Sequence, residues 1–328
     1  MDAADLGMGR RAGRGWAAAL VLLASHPPTH PESPSPMRRR PATLAAAAAA
    51  LAAALVASGL PASAQGSGQP PLRTAVDGTF APHAFPRLEG GVQGFNVDLF
   101  REVARRLGRE ITVDSASFSG LIPALNAGRY DFLAAPVTAT RERAENLLFT
   151  EGYLFTEYQL GLRRGTAPVG SLDELRGRAL SVNKGSAYDA WAQANAARHG
   201  FSVQAYDSNP DAVQAVVSGR AHAVLAGNTV IKYAASRQPQ LVPGLALAET
   251  RAHWAAPFRR DDAALRDAVE GALECMKRDG TVARLSERWF GARPGPEDAE
   301  NTVFPGRGVP GLPGHDPAPL EPNCGGGG

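Results

Sequence analysis

The chain has 328 residues, with 34 lysines and arginines against 32 aspartates and glutamates, and only two cysteines. The near-neutral balance and scattered basic residues argue against a nucleic-acid surface, and the cysteine spacing offers no zinc pattern. The length suits one large domain or two lobes.

The first segment reads as a targeting signal. Met37-Arg38-Arg39-Arg40 is a basic start, Leu44 to Val56 is an unbroken Ala/Leu/Val run, and Ala62-Ser63-Ala64 fits small-residue cleavage before Gln65. The run is too short to span a bilayer, and the three parts together form a secretory signal over residues 37–64. Residues 1–36 are rich in Pro, Arg and Ala and read as an untranslated or disordered extension, with Met37 as the initiator. Export to the periplasm is the expectation. It permits a bridge between Cys275 and Cys324, two free thiols being the alternative.

Beyond the signal, strands and helices alternate. Leu72 to Val76 is a short strand, followed by a Pro/Gly loop. Phe95 to Leu107 is an amphipathic helix with Phe100, Val103, Ala104 and Leu107 on one stripe, Asn96 as its N-cap and Gly108 at its end. Ile111 to Ser115 is a strand, and Leu121 to Leu125 lies in a short helix. Asp131 to Arg143 then runs from a buried parallel strand of about four to six residues, ended by Pro136, through Thr138 and Thr140 into a helix start. Phe149 to Leu162 holds two strand pieces, and Ser171 to Leu175 begins a short capped helix. Strands at Ala179–Asn183, Phe201–Tyr206 and Ala221–Ala226 alternate with helices at Ser186–His199, Pro210–Ser218 and Thr229–Ser236. Leu245 to Thr250 and Ala255 to Arg259 return as strands, and Asp262–Met276 and Thr281–Phe290 close the pattern as helices. This predicts an α/β fold of two doubly wound lobes. Residues 292–328 are Pro/Gly-rich without periodicity and read as an extended tail.

One stretch carries candidate chemistry on local grounds. At Thr138 to Arg143 a strand feeds a helix start, where free N–H donors meet an arginine fork suited to a carboxylate. In open α/β sheets ligands settle at such strand ends. Three segments taken together, Gly94-Phe95-Asn96-Val97-Asp98-Leu99-Phe100, Thr138 to Arg143, and Asn183-Lys184-Gly185-Ser186-Ala187-Tyr188-Asp189, resemble the family 3 solute-binding proteins of ABC importers, which mostly carry amino acids. The close, Lys277-Arg278-Asp279-Gly280-Thr281 with Glu287-Arg288-Trp289-Phe290-Gly291, is similar to that family's end. The likeness covers about Leu72 to Gly291.

The resemblance implies two lobes joined by two strand-like crossovers that hinge over a ligand. Residues 72–158 plus 251–291 would form the first lobe, and 159–250 the second. It implies a small carboxylate-bearing solute, a membrane ABC permease as partner, no cofactor or metal, and a monomer. Arg143 matches the arginine that pairs with the ligand carboxylate. Thr138 matches a ligand-facing hydroxyl. Gly185 would allow close backbone approach, and Ser186 would offer N–H groups at a helix start that Asp189 also caps. Phe80 and Phe118 match aromatics that sandwich the solute, or they are core. Asp77 would read a distal polar group, or it is a loop aspartate.

One departure stands out. Relatives usually place an aspartate for the α-ammonium after the strand written here Ala221 to Ala226; this chain has Ala226-Gly227-Asn228. Asn228 could accept a hydrogen bond but supplies no charge, and an unpaired buried ammonium is costly. Either another acid moves in or the solute is not a standard α-amino acid. His222 is expected to face outward. Two other functions stay open. One is a dehydratase-like enzyme on a cyclic carboxylate, with Asp77, Lys184 or His253 as acid or base. The other is a periplasmic sensor or accessory protein that uses the same lobes, for which the tail is suited.

Overall fold

The computed structural model describes residues 69–325. The extension and the targeting signal lie outside the described residues. Among those described, no helix is long and apolar enough to cross a membrane.

The first lobe is built on a three-stranded parallel sheet. Its central strand β1 (Leu72–Val76) is buried apart from Arg73. A hairpin of β2 (Phe85–Pro86) and β3 (Val92–Gln93) leads into helix α1 (Phe95–Arg106). β4 (Ile111–Ser115), helix α2 (Phe118–Asn126) and β5 (Phe132–Leu133) follow, in the sheet order β4-β1-β5. Asn96 does not cap α1. The N-cap is Gly94, and Asn96 is fully buried, donating to the Ala134 carbonyl and the Tyr153 hydroxyl. A buried amide must find partners, and these lie in the core, out of a capping residue's reach.

The central stretch splits in two. After β5 the chain passes Pro136 and leaves the first sheet; β6 (Val137–Thr138) joins the other sheet by pairing with the second crossover. The strand expected to run four to six residues up to Pro136 is therefore only two residues long, and a second short strand beyond Pro136 belongs to the other sheet. The helix after it, α3 (Arg141–Ala144), is a single turn, with the Thr140 hydroxyl accepting from the Arg143 amide at 3.3 Å.

β7 (Leu147–Phe149) precedes β8 (Leu154–Arg163), which enters the second, six-stranded sheet. That sheet holds β9 (Ala179–Asn183), β10 (Ser202–Tyr206), β11 (Ala223–Gly227) and β12 (Leu241–Ala255), in the order β10-β9-β11-β8-β12-β6. β9, β10 and β11 are parallel; β8 and β12 run antiparallel to their neighbours. Helices α4 (Ala187–His199), α5 (Asn209–Val217) and α6 (Asn228–Arg237) alternate with these strands. Ser186 and Ser208 cap the first two through side-chain oxygens that accept from Asp189 and Asp211 amides.

The strand predicted at Leu245 to Thr250 is longer. β12 runs fifteen residues to Ala255, with register shifts between Pro243 and Ala246 and between Leu247 and Ala252. Irregular pairing breaks the alternation of apolar residues, so its length was hidden. After it, β13 (Pro257–Arg259) pairs with β7, and helices α7 (Ala263–Arg278) and α8 (Thr281–Phe290) complete the first lobe.

The tail forms a strap against α7 and the crossovers. Cys324 is bridged to Cys275 of α7, 49 residues earlier; a loop of that length constrains the unfolded chain by about 4 kcal/mol. Buried charges hold the middle of the strap. Glu151 and Lys277 pair at 2.9 Å with both side chains at most 1 % exposed. The Glu151 carboxylate accepts from the Phe304 amide, Lys277 donates to the Thr302 carbonyl, and Glu270 accepts from the Gly308 amide. Such a pair is costly to strip of one partner, because the other charge is left alone in the interior. Phe304 lies beside Phe155 of β8 and His253 of β12, at ring separations of 6.3 and 4.8 Å.

Candidate functional site

The two lobes are joined across their cleft by direct hydrogen bonds. Asn183, at the end of β9, donates to Asp77, just after β1, at 3.1 Å. The Arg143 guanidinium donates to the Gly185 carbonyl at 3.2 Å and to the Thr138 carbonyl at 3.0 Å. His83 and Thr229 meet at 2.9 Å. The tautomer of His83 follows from its neighbour. Both amide protons of Asn96 are donated elsewhere, so its oxygen accepts from His83 Nδ1, leaving Nε2 to accept from the Thr229 hydroxyl. Burial holds His83 neutral, with its pKa lowered to about 3, against the raising influence of the Asn96 hydrogen bond.

The predicted residues fall into two groups. Around Arg143 lie Gly185 and Ser186, in a groove of about 630 Å³ that also takes in Asn126, Asn146, Tyr158 and Trp191. The Phe118 ring sits under the guanidinium, 5.7 Å from Cζ. Arg143 is half-buried, and burial pulls its pKa down from the ordinary value, with Tyr158, Tyr188 and Glu142 opposing more weakly. Gly185 has φ 73°, and a Cβ there would come within 3.1 Å of the Ser119 backbone in the first lobe. Glycine is needed on both counts. The Ser186 hydroxyl is committed to its own helix, donating to the Asn183 carbonyl and capping α4.

The second group gathers around an unforeseen residue. Trp254, at the end of β12, is fully buried. Its indole N–H donates to the Thr138 hydroxyl at 3.1 Å. Phe80 and His83 stand edge-on to the indole at 6.3 and 4.5 Å. From the second lobe, Gly227 closes against it. A Cβ at Gly227 would stand 2.9 Å from the Thr156 and Tyr188 hydroxyls and 3.0 Å from Trp254 Cη2. Phe80 and Phe118 belong to different core clusters. Asp77 is 1 % exposed and already accepts from the Thr79 amide and hydroxyl and from Asn183.

Asn228 stands apart from both groups. Its side chain accepts from the Thr229 amide, and it lines a separate groove with Lys232, Arg251 and Asp298 beside the strap. Of the residues considered for acid–base work, His253 lies between Phe155 and Phe304, with burial lowering its pKa to about 4. Lys184 faces Asp207 at 3.5 Å on the surface. Trp254, Tyr188, Asn183 and the His83–Thr229 contact were not singled out in the sequence. The one signal that pointed toward them was the glycine at 227.

Residues 72–292 match the family of bacterial extracellular solute-binding proteins, family 3. The chain is similar to the L-cystine-binding protein TcyJ of Escherichia coli (strain K12), 28 % identical over 67 % of this chain and 83 % of that protein. Among solved structures it is similar to an ancestral arginine-binding protein bound to arginine, with 29 % identity, TM-score 0.65, and 68 % and 99 % of the two chains covered. It is also similar to an ancestral amino-acid-binding protein described as a precursor of cyclohexadienyl dehydratase, with 27 % identity, TM-score 0.62, and 67 % and 95 % covered. The match spans both sheets and both crossovers: the chain belongs to the bacterial extracellular solute-binding proteins, family 3.

Proposed function

We propose that the chain captures a small carboxylate-bearing solute in its interlobe cleft, in the periplasm, and delivers it to the permease of an ABC importer. The observation that carries this is Arg143. Its guanidinium is half-buried between the lobes, and the hydrogen bonds it makes go to two neutral carbonyls. A desolvated guanidinium gains most from an anionic partner, and a carboxylate matches its fork with two parallel bonds. The relatives' names, cystine-, arginine- and amino-acid-binding, support the transport class.

The reading is binding without turnover. Asp77, Lys184 and His253 are engaged by a side-chain amide, a surface aspartate and two aromatic rings. None stands beside Arg143 in the groove as a free acid or base. A sensor or accessory role is the second reading. It is favoured by the strap, which braces both crossovers through Phe304.

A thermal-shift screen of carboxylates tests the first reading, since a guest bound only by the folded form raises the melting temperature. We expect at least one acid to stabilise the protein and Arg143→Ala to abolish that gain. A gain that survives the substitution removes Arg143 from the site.

A further inference from the structure

Two of the cleft's expected solute contacts, and the glycine that stands where relatives place an acid, converge on a side chain of the protein itself. Thr138 and Phe80 from the first lobe and Gly227 from the second all meet the indole of Trp254. The indole N–H is a donor, and it takes a lone pair of the Thr138 hydroxyl that would otherwise face a guest. The indole edge takes part of the space in front of Gly227, where a methyl group would stand 3.0 Å from the ring and 2.9 Å from the Thr156 and Tyr188 hydroxyls. Glycine at 227 is therefore the counterpart of tryptophan at 254: the backbone withdraws so that the ring can enter.

The electrostatics agree with the sterics. The groups that meet the indole or close on Gly227 are Phe80, His83, Thr138, Thr156 and Tyr188. None is anionic: His83 is neutral, and burial pushes the Tyr188 hydroxyl well above its ordinary value. Asp77, in the cleft's bonding network, already accepts from the Thr79 amide and hydroxyl and from Asn183. An ammonium brought against the indole would lose its water and meet no carboxylate among these groups.

We propose that Trp254 is the specificity-determining residue of the cleft: it fills the half that an α-ammonium would enter, so the solutes admitted at the Arg143 half are carboxylates without an α-ammonium. This rests on the reading that Thr138 and Phe80 face the solute. It goes further by naming the class accepted, the class refused, and the side chain that refuses it. The rejection is both steric and electrostatic, so removing the ring alone restores space and not charge. Restoring an acid at 227 becomes possible only once the ring is gone.

The test is calorimetric titration of the full folded chain with each standard L-α-amino acid, paired with the acid that lacks its α-amino group. Wild type is expected to bind at least one amine-free acid at least tenfold tighter than its amino counterpart. Trp254→Ala/Gly227→Asp is expected to bind at least one L-α-amino acid at least tenfold tighter than wild type does. Wild type binding an L-α-amino acid as tightly as the double variant would overturn the proposal. Should that variant fail to fold, Trp254→Phe/Gly227→Asp replaces it: loss of the N–H and the outer ring makes room for the acid and should improve L-α-amino-acid binding at least threefold, and no improvement refutes the proposal. A separate arm needs no solute. Free indole should raise the melting temperature of Trp254→Ala and leave wild type unchanged; no rise means that the ring does not occupy a cleft. If wild type binds neither acid class while indole rescues Trp254→Ala, the carboxylate reading fails and the occupancy of the cleft by Trp254 stands.

Discussion

The Trp254 side and the Arg143 side of the cleft join the same two lobes by opposite means. On the first, an indole, the Phe80 ring and a neutral imidazole pack together in the interior, and the second lobe approaches through Gly227 and the Thr229 hydroxyl. On the second, a guanidinium reaches backbone carbonyls beside an open groove lined by Asn126, Asn146, Ser186 and Trp191. The packed side contributes cohesion, because apolar area is removed from water and few voids remain. The polar side contributes little cohesion, because its bonds exchange with water, and that leaves it free to accept a guest.

The largest effect that would sharpen this contrast is on stability. Trp254→Ala should cost about 3–5 kcal/mol of unfolding free energy, the usual cost of emptying an aromatic site. Denaturant melts would check this, and a loss below about 1 kcal/mol would mean that the ring is not a packing element. Acid should strike the same side. His83 has its folded pKa lowered to about 3 from an ordinary 6.5. A depressed histidine stabilises above its unfolded pKa, and that contribution fades as pH falls from about 6.5 towards 3. In full it amounts to about 5 kcal/mol. The slope of stability against pH across that window should flatten in His83→Gln; an unchanged slope would assign it to other groups.

The other side should behave in reverse. Arg143→Ala should change the melting temperature little but weaken a bound carboxylate by about 2–4 kcal/mol, as expected when one partner of a desolvated charge pair is removed. Arg143→Lys should fall between, since charge is kept and the fork is lost. Calorimetry with any acid found by screening measures both; equal losses for lysine and alanine would show that the fork, not the charge, carries the contact. The smallest effect joins the two halves of the packed side. Gly227→Ala should destabilise by about 1–3 kcal/mol through crowding against Thr156, Tyr188 and Trp254, and Trp254→Phe should relieve the part owed to the indole. Additive costs in a double-mutant cycle would deny that the two positions touch.

Local pattern made most elements legible. β1, α1, β9, α4 and α8 fall close to where apolar runs, periodicity and caps put them: β1 and β9 are short buried runs, α4 starts at a serine cap, and α1 and α8 each bury one face. The misjudged places lack that regularity. β12 carries its length through two register shifts, and the stretch from Asp131 to Arg143 serves two sheets at once. The tail, featureless by periodicity, is held by Glu151, Glu270, Lys277 and a disulfide. Carboxylates and a lysine in buried positions follow no apolar repeat, so no pattern announced them.

For the site the division is similar. Arg143, Gly185 and Ser186 stand on strand-to-helix turns, and such turns write their residue types into a short stretch of chain. The sequence alone therefore determined the family, the alternation of two α/β lobes, and which arginine faces the cleft. It also showed that position 227 lacks an acid. What occupies that space was decided only in three dimensions. Trp254 lies 27 residues further along, on a bulged strand, and the His83–Thr229 contact spans 146 residues. Exclusion of volume and matching of donors to acceptors operate between side chains that folding brings together, and nothing in the local sequence encodes which distant ring will fill a given gap.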